Sequence, residues 1–460
     1  MKRLIDGRAR ARVGILILSF AFLIGAHHSG STFKVPQNTW PAFQFSSTHE
    51  AVFNHPWLRR EWEANVGGKV NGGLSIVGTT LFVESFDDRI YAIDAMNGAS
   101  KWSTRVNGTP MNTPIVVSGM VFVGTGTGRV LKGGPSQESF LAGRKSGDTF
   151  YGISASNGHI MWQYHTRGEN MPTAVLAYDR NRPEIVFANG NDRIYALSPS
   201  TGRVLWSKAI PGADFMSSLA IYHNVIFGTS GLDWSAFYGS WLDDNYEGMN
   251  RIEHSWSISP NGTFNWMANL SNATDSPAAG DGAVAFEKIS ESVASPLKGP
   301  RPSIDYMLSS QFDTIQVADS KTGKLLWHFN SASGGQTRIG SKIEVAAGLI
   351  VGNRLFQAMP LGQQYGAFNI RTGKRYWLIH TRAPVKMGAV LQGGVLYFGD
   401  TDGNFYLVRA TDGAMIRIVR FPDIFTCAPP LIVGDTLFLT NGTRLFAIPV
   451  DRLADGEYSP

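Results

Sequence analysis

The chain repeats one short phrase. Ile90-Tyr91-Ala92-Ile93-Asp94 leads to Asn97-Gly98 and then Trp102. Phe150 to Ser154 leads in the same way to Gly158 and Trp162, and Ile194 to Ser198 leads to Gly202 and Trp206. Further copies end at Gly262/Trp266, Gly323/Trp327 and Gly373/Trp377, always with the Trp four residues after the Gly. A seventh copy, Phe405 to Gly413, carries Arg417 where the Trp would stand. Repeats of this length built from short strands belong to propellers or solenoids, because one copy cannot bury its own apolar faces.

Within a copy, an apolar strand ends, a Gly provides the positive φ of a tight turn, and a second strand begins. The Trp on that second strand covers a large apolar area. Two more strands precede each copy, such as Pro114 to Ser118 and Met120 to Gly124 around Gly119. This gives a four-stranded unit, A to D. Seven complete units end near residues 102, 162, 206, 266, 327, 377 and 417. An eighth supplies Leu431 to Val433, Thr436 to Thr440 and Arg444 to Pro449, and then lacks its D strand. Leu58 to Val66, with Trp62, is the strand available to complete it. The expected fold is all-β: an eight-bladed β-propeller of four-stranded antiparallel blades, closed by an N-terminal strand.

The pattern Ala-x-Asp-x-x-Thr-Gly-x-x-x-Trp resembles the repeat of the pyrroloquinoline-quinone (PQQ)-like propellers over roughly residues 58 to 450. That superfamily includes quinoprotein dehydrogenases, the outer-membrane assembly lipoprotein BamB and the tetrathionate hydrolases of acidophiles. The resemblance is specific for fold. Function has to be read from the site.

Residues 1–26 read as a signal peptide or short anchor: five basic residues against Asp6, then an apolar run from Val13 to Ala26. That run is shorter than the ~20 residues of a membrane span. Residues 27–57 read as an N-terminal extension, 58–450 as the propeller and 451–460 as a C-terminal tail. The expected location is periplasmic or secreted. The only cysteine, Cys427, lies far from the leader, which leaves no lipidation site and no internal disulfide. The formal charge of +5 falls to about +1 without the leader, and no Lys/Arg run remains to track a phosphate backbone, so nucleic acid is not an expected partner.

The Trp-to-Trp intervals are 60, 44, 60, 61 and 50, then 40 to Arg417. The extra length is read as B–C insertions: 125–149 in blade 2, 229–255 in blade 4 and 288–312 in blade 5. All three would crowd one mouth of the central channel, where long loops are usually functional. The second of them, with Trp234, Tyr238 and Trp241 among several acidic residues, reads as a packed cap, a lid, or a homodimer contact through the top-face loops.

Aligning the starts of the inner strands by sequence brings Lys69, Arg338 and Lys386 to one level, a basic trio suited to a small anionic substrate. Asn71 and Asn112 follow closely as further binding candidates, and four Met with Cys427 form a soft ring best suited to core filling. Asp275 is the carboxylate at ring level, while Asp313 and Asp305 flank the blade 5 segment that carries the catalytic Asp in quinoprotein dehydrogenases. These three are the catalytic candidates, because a carboxylate at a narrow mouth is suited to proton transfer.

The chain has Leu308-Ser309-Ser310 where those dehydrogenases have Gly-Asp-Asn, and it lacks their paired cysteines and c-type haem motif. The histidines show no metal-ligand spacing. The resemblance therefore implies first an exported enzyme that hydrolyses the S–S bond of tetrathionate without a redox cofactor. The alternatives are a dehydrogenase using PQQ with calcium, and a BamB-like scaffold whose partners are outer-membrane assembly proteins.

Overall fold

Each Thr-Gly or Asn-Gly turn does two jobs, and together they close the ring. Gly98 has φ of 74°, and a Cβ placed there would lie 2.7 Å from the Trp62 ring. The turn therefore needs glycine both for its backbone and as the seat of an indole from the preceding blade. The indole N–H then donates to a carbonyl of the same turn region: Trp62 to Ala95 at 3.0 Å, Trp102 to Ala155 at 3.0 Å, and Trp162 to Pro199 at 2.8 Å. Trp206, Trp266, Trp327 and Trp377 repeat the contact to Pro260, Ser320, Ile370 and Ala410. The tryptophans are thus inter-blade staples, mostly half-buried.

The computed structural model describes residues 52–53, 59–126, 148–166, 168, 170–191, 193–210, 218–230, 254–269, 285–288, 305–311, 314–330, 348–360 and 362–460. Its strands form eight sheets ordered A to D. Blade 1, for example, comprises Ser75–Val77, Thr80–Ser85, Arg89–Asp94 and Ser100–Arg105. In blade 8, Leu431–Val433, Thr436–Asn441 and Arg444–Pro449 are completed by Trp62–Asn65. Trp62 pairs with Ala447, the register that Trp102 holds with Ala92. The ring closes through the N-terminal strand.

Strands B and C are buried on both faces, and aromatic rings stack from blade to blade. Phe150 lies on Phe187 with centroids 4.1 Å apart, and Tyr365 lies on Phe398 at 4.1 Å. Blade 8 has no C–D turn to receive a Trp from blade 7. A short helix, Val450–Asp455, follows strand C instead and ends at Gly456 with φ of 82°. Arg417 points its guanidinium at Ala454 O, 3.4 Å away, and packs against Gly456. The Trp-to-Arg change follows from how the ring ends. Among the described residues, no helix is long and apolar enough to cross a membrane.

Three sequence expectations are corrected. In blade 5 strand A is Ala285–Lys288 and strand B is Asp305–Gln311, so the long insertion there joins A to B and not B to C. The apolar run around Phe286 pairs as an inner strand, although its composition suits either position. In blade 6 strand A is Leu349–Val351, well after Arg338, which the sequence alignment placed at the head of that strand. Lastly, the extension before the propeller contributes Val52–Phe53, which pairs in parallel with Ile432 and Val433 on the inner edge of blade 8. The insertions of blades 2 and 4 do fall between B and C, after Gly126 and Ser230.

Candidate functional site

Inner strands begin at the mouth that the B–C hairpins share, so the residues just before them rim the channel. The first paired residues of the inner strands are equivalent by register: Ser75, Ile115, Val175, Val390 and Leu431 among them. Counting back puts Asn71, Met111, Met171, Lys386 and Cys427 on one level. Side-chain hydroxyls follow the same register two residues on: Gly73 N–H donates to Thr113 Oγ1 at 2.8 Å, and Thr113 N–H to Thr173 Oγ1 at 3.0 Å. Thr173 N–H passes the pattern to Ser218 Oγ at 3.3 Å.

Lys386 is buried at this rim, 9% exposed, between buried Val385 and Met387. Lys69 is not its equivalent. It lies further out, exposed, with Nζ 4.0 Å from Asp423 Oδ1, a surface pair of little energetic weight. Counted from the first paired residues Ser75 and Val390, Lys69 stands two residues further from its inner strand than Lys386 does. Asn71 is half-buried. Asn112 is buried, and its amide is spent on the scaffold, donating to Gly124 O at 2.9 Å and Asn170 O at 2.7 Å.

Asp305 pairs with Lys288 at the start of strand B, beside the end of strand C at Asp319. That is the end of blade 5 where the Thr-Gly turn sits, opposite the mouth. Asp305 is therefore removed from the constellation that the sequence proposed. Asp313, in the two-residue connection between the paired Gln311 and Thr314, lies outside the described residues. So do Asp275, Arg338, Trp234, Tyr238 and Trp241.

Sequence reasoning missed Glu84, a buried carboxyl at the mouth. It sits in strand B of blade 1, fully buried. Its Oε1 accepts the N–H of Asn71 at 2.8 Å and that of Gly72, so the carboxyl grips the inner strand at the rim. Its Oε2 is buried without a partner. Burial pushes its pKa from 4.5 up to about 8, against the lowering effect of the Gly72 and Asn71 N–H bonds, with a smaller upward push from Asp87.

The level of Glu84 can be read in every blade from its pairing with strand C. The equivalents are Gly124, Ala188, Thr229, Ser310, Ala358, Gly399 and Thr440. All are small, because the head of an inner strand packs over them: a Cβ on Gly124 would meet Asn170, and one on Gly399 would meet Phe425. A strand buried on both faces makes any long polar residue a signal. In Thr80–Ser85 the apolar run Leu81 to Val83 ends at Glu84, so in sequence the acid reads as the start of a solvated turn.

Among the described residues, no group of three or more His, Cys, Asp or Glu side chains could hold a metal ion. Cys427 is a free thiol.

Comparisons with known proteins agree with this architecture. The chain is 28% identical over 403 residues to the tetrathionate hydrolase of Acidithiobacillus ferrooxidans, covering 84% of this chain and 74% of that one. Its fold is similar to the quinohemoprotein alcohol dehydrogenase of Comamonas testosteroni, with a TM-score of 0.62 at 13% identity over 89% of this chain and 80% of that one. A europium-containing methanol dehydrogenase gives 0.63 at 13% identity, over 88% and 90%. At such identities the two dehydrogenases bear on fold alone. The family model for outer membrane protein assembly factor BamB matches residues 59–228 and 314–419, more than half of the chain. By its repeat, its register and this match, the chain belongs to that PQQ-like propeller family.

Proposed function

We propose that the protein is an exported hydrolase that takes a small sulfur oxyanion at the channel mouth, with tetrathionate as its substrate. The observation that carries this reading is the 28% identity to a tetrathionate hydrolase across 403 residues. The mouth supports it with a buried cation, Lys386, on the level of Asn71 and Cys427. A buried ammonium attracts an anion far more strongly than a solvated one, because little water screens it.

The reaction balances without an oxidant. Water attacks a terminal sulfonate sulfur of tetrathionate, its O–S bond forms, and the adjacent S–S bond breaks. The products are hydrogen sulfate and a disulfane monosulfonate that takes up the second proton of the water. The protein has to hold the dianion and accept a proton from the attacking water. Lys386 is proposed for the first task, and Asp313 and Asp275 are candidates for the second.

The test is incubation of the purified protein with tetrathionate below the ordinary carboxylate pKa of about 4, with tetrathionate, thiosulfate and sulfate followed by ion chromatography. Tetrathionate should disappear and sulfate appear. An inert protein that instead reduces a dye when supplied with PQQ would be a dehydrogenase. Inertness in both assays would favour an assembly role.

A further inference from the structure

We propose that Glu84 is a positioning residue that clamps the rim of blade 1 as an uncharged carboxylic acid, so that the mouth is built to work with this group protonated. The inference concerns the scaffold and holds whichever anion binds at the mouth.

The geometry carries it. Glu84 is fully buried, and its Oε1 takes two successive backbone N–H groups, those of Asn71 and Gly72. These residues begin the inner strand of blade 1, and Asn71 stands on the level of Lys386. A neutral carboxyl carbonyl satisfies both N–H donors. A carboxylate there would bring a full charge into a buried site whose compensation among the described residues is two N–H bonds. Its second oxygen is buried without a hydrogen-bond partner among the described residues.

The charged groups around it make matters worse for the anion. Asp87, on the hairpin that follows strand B, opposes the ionisation of Glu84. Asp87 itself accepts the Tyr91 hydroxyl at 2.5 Å. From the inner strand, the Lys69 ammonium is turned toward Asp423. From blade 2, the facing residue is Asn112, an uncharged amide held by backbone carbonyls. The strand B residues of the other blades at the level of Glu84 are all uncharged. Ionisation would therefore be relieved by opening the rim to water, and the head of the inner strand would loosen.

The carboxyl is also matched to its place. Gly72 lies so close to Asn112 that a Cβ would meet its backbone at 2.5 Å, and this close approach lets the Gly72 N–H reach Glu84. The rim of blade 1 is thus assembled from a glycine, a buried acid and the neighbouring blade.

The test compares wild type with Glu84→Gln and Glu84→Ala at matched pH, using hydrogen exchange of a peptide spanning residues 69–77 and thermal melting. Gln presents the same carbonyl and cannot ionise. At about pH 5 wild type and Glu84→Gln should protect this peptide equally, whereas Glu84→Ala should exchange on the order of tenfold faster. Toward about pH 9 wild type should lose protection and melting temperature relative to Glu84→Gln.

A wild-type to Gln ratio that stays constant across this range would overturn the proposal, as would full protection in Glu84→Ala. If Gln is not accommodated, infrared spectra of the wild-type protein decide. A protonated-carboxyl band should persist at about pH 7, where solvated carboxylates are ionised. Its absence would overturn the proposal.

Discussion

At the scale of single residues, the chemistry of the mouth depends on which groups are charged. Glu84 has a folded pKa raised from 4.5 to about 8. Because the folded form binds its proton more tightly than the unfolded chain, its contribution to stability is complete below about pH 4.5 and is lost as pH rises through about 8. The shift is on the order of a few kcal/mol. Asp451 runs the other way: hydrogen bonding to Arg59 holds its carboxyl below the usual range, so its contribution is lost as pH falls. Both partners are about half-exposed, and solvent reduces that pair to a small effect. Net melting temperature should therefore rise as pH falls from about 9 to about 5 in wild type, and stay nearly flat in Glu84→Gln. Differential scanning calorimetry across that range checks the sign. The tryptophans carry a second residue-scale prediction. Trp102→Ala removes an indole seated on Gly158 and bonded to Ala155, and should cost about 3 kcal/mol in urea unfolding. Arg417→Ala loses one long hydrogen bond to a helix end and should cost about 1 kcal/mol.

At the scale of elements, the strand Trp62–Asn65 decides whether the ring is closed. Its inner face delivers Trp62 to Ala95 and against Phe438. Its outer face alternates Glu61 and Glu63, which pair with Arg452 and Arg444, and Arg59 pairs with Asp451 nearby. The seam thus combines an apolar staple with surface ion pairs that salt will screen. Removing residues 1 to 65 should leave the edge of Arg444–Pro449 unpaired, and size-exclusion chromatography should find aggregate; a monomer with a cooperative melt would show that the strand is dispensable. Much of this level was legible, because the Gly-to-Trp spacing marks the C–D turn wherever it occurs. Blade 5 was misread because its insertion separates A from B, and the short run Ala285–Lys288 does not distinguish an inner strand from its neighbour. The parallel pairing of Val52 and Phe53 had no local signal, since a two-residue strand is defined only by its partner.

At the scale of the whole molecule, the ring brings residues far apart in sequence to one rim: Lys386, Cys427 and Asn71 come from blades 7, 8 and 1. Sequence alignment set Lys69 and Lys386 on one level, because a two-residue difference between the lead-ins to blades 1 and 7 is invisible until the register is known. Glu84 escaped because it follows the apolar run Leu81 to Val83 and precedes Ser85, as the first residue of a solvated turn would, while the ring buries it. The proposal that this rim holds a sulfur oxyanion for hydrolysis is tested most directly by Lys386→Met, which keeps the length of the side chain and removes its charge. Steady-state tetrathionate hydrolysis should show KM raised on the order of 10- to 100-fold, with kcat changed much less and the melting temperature near that of wild type. Wild-type turnover with a KM indifferent to this substitution would contradict the placement of the anion at this mouth.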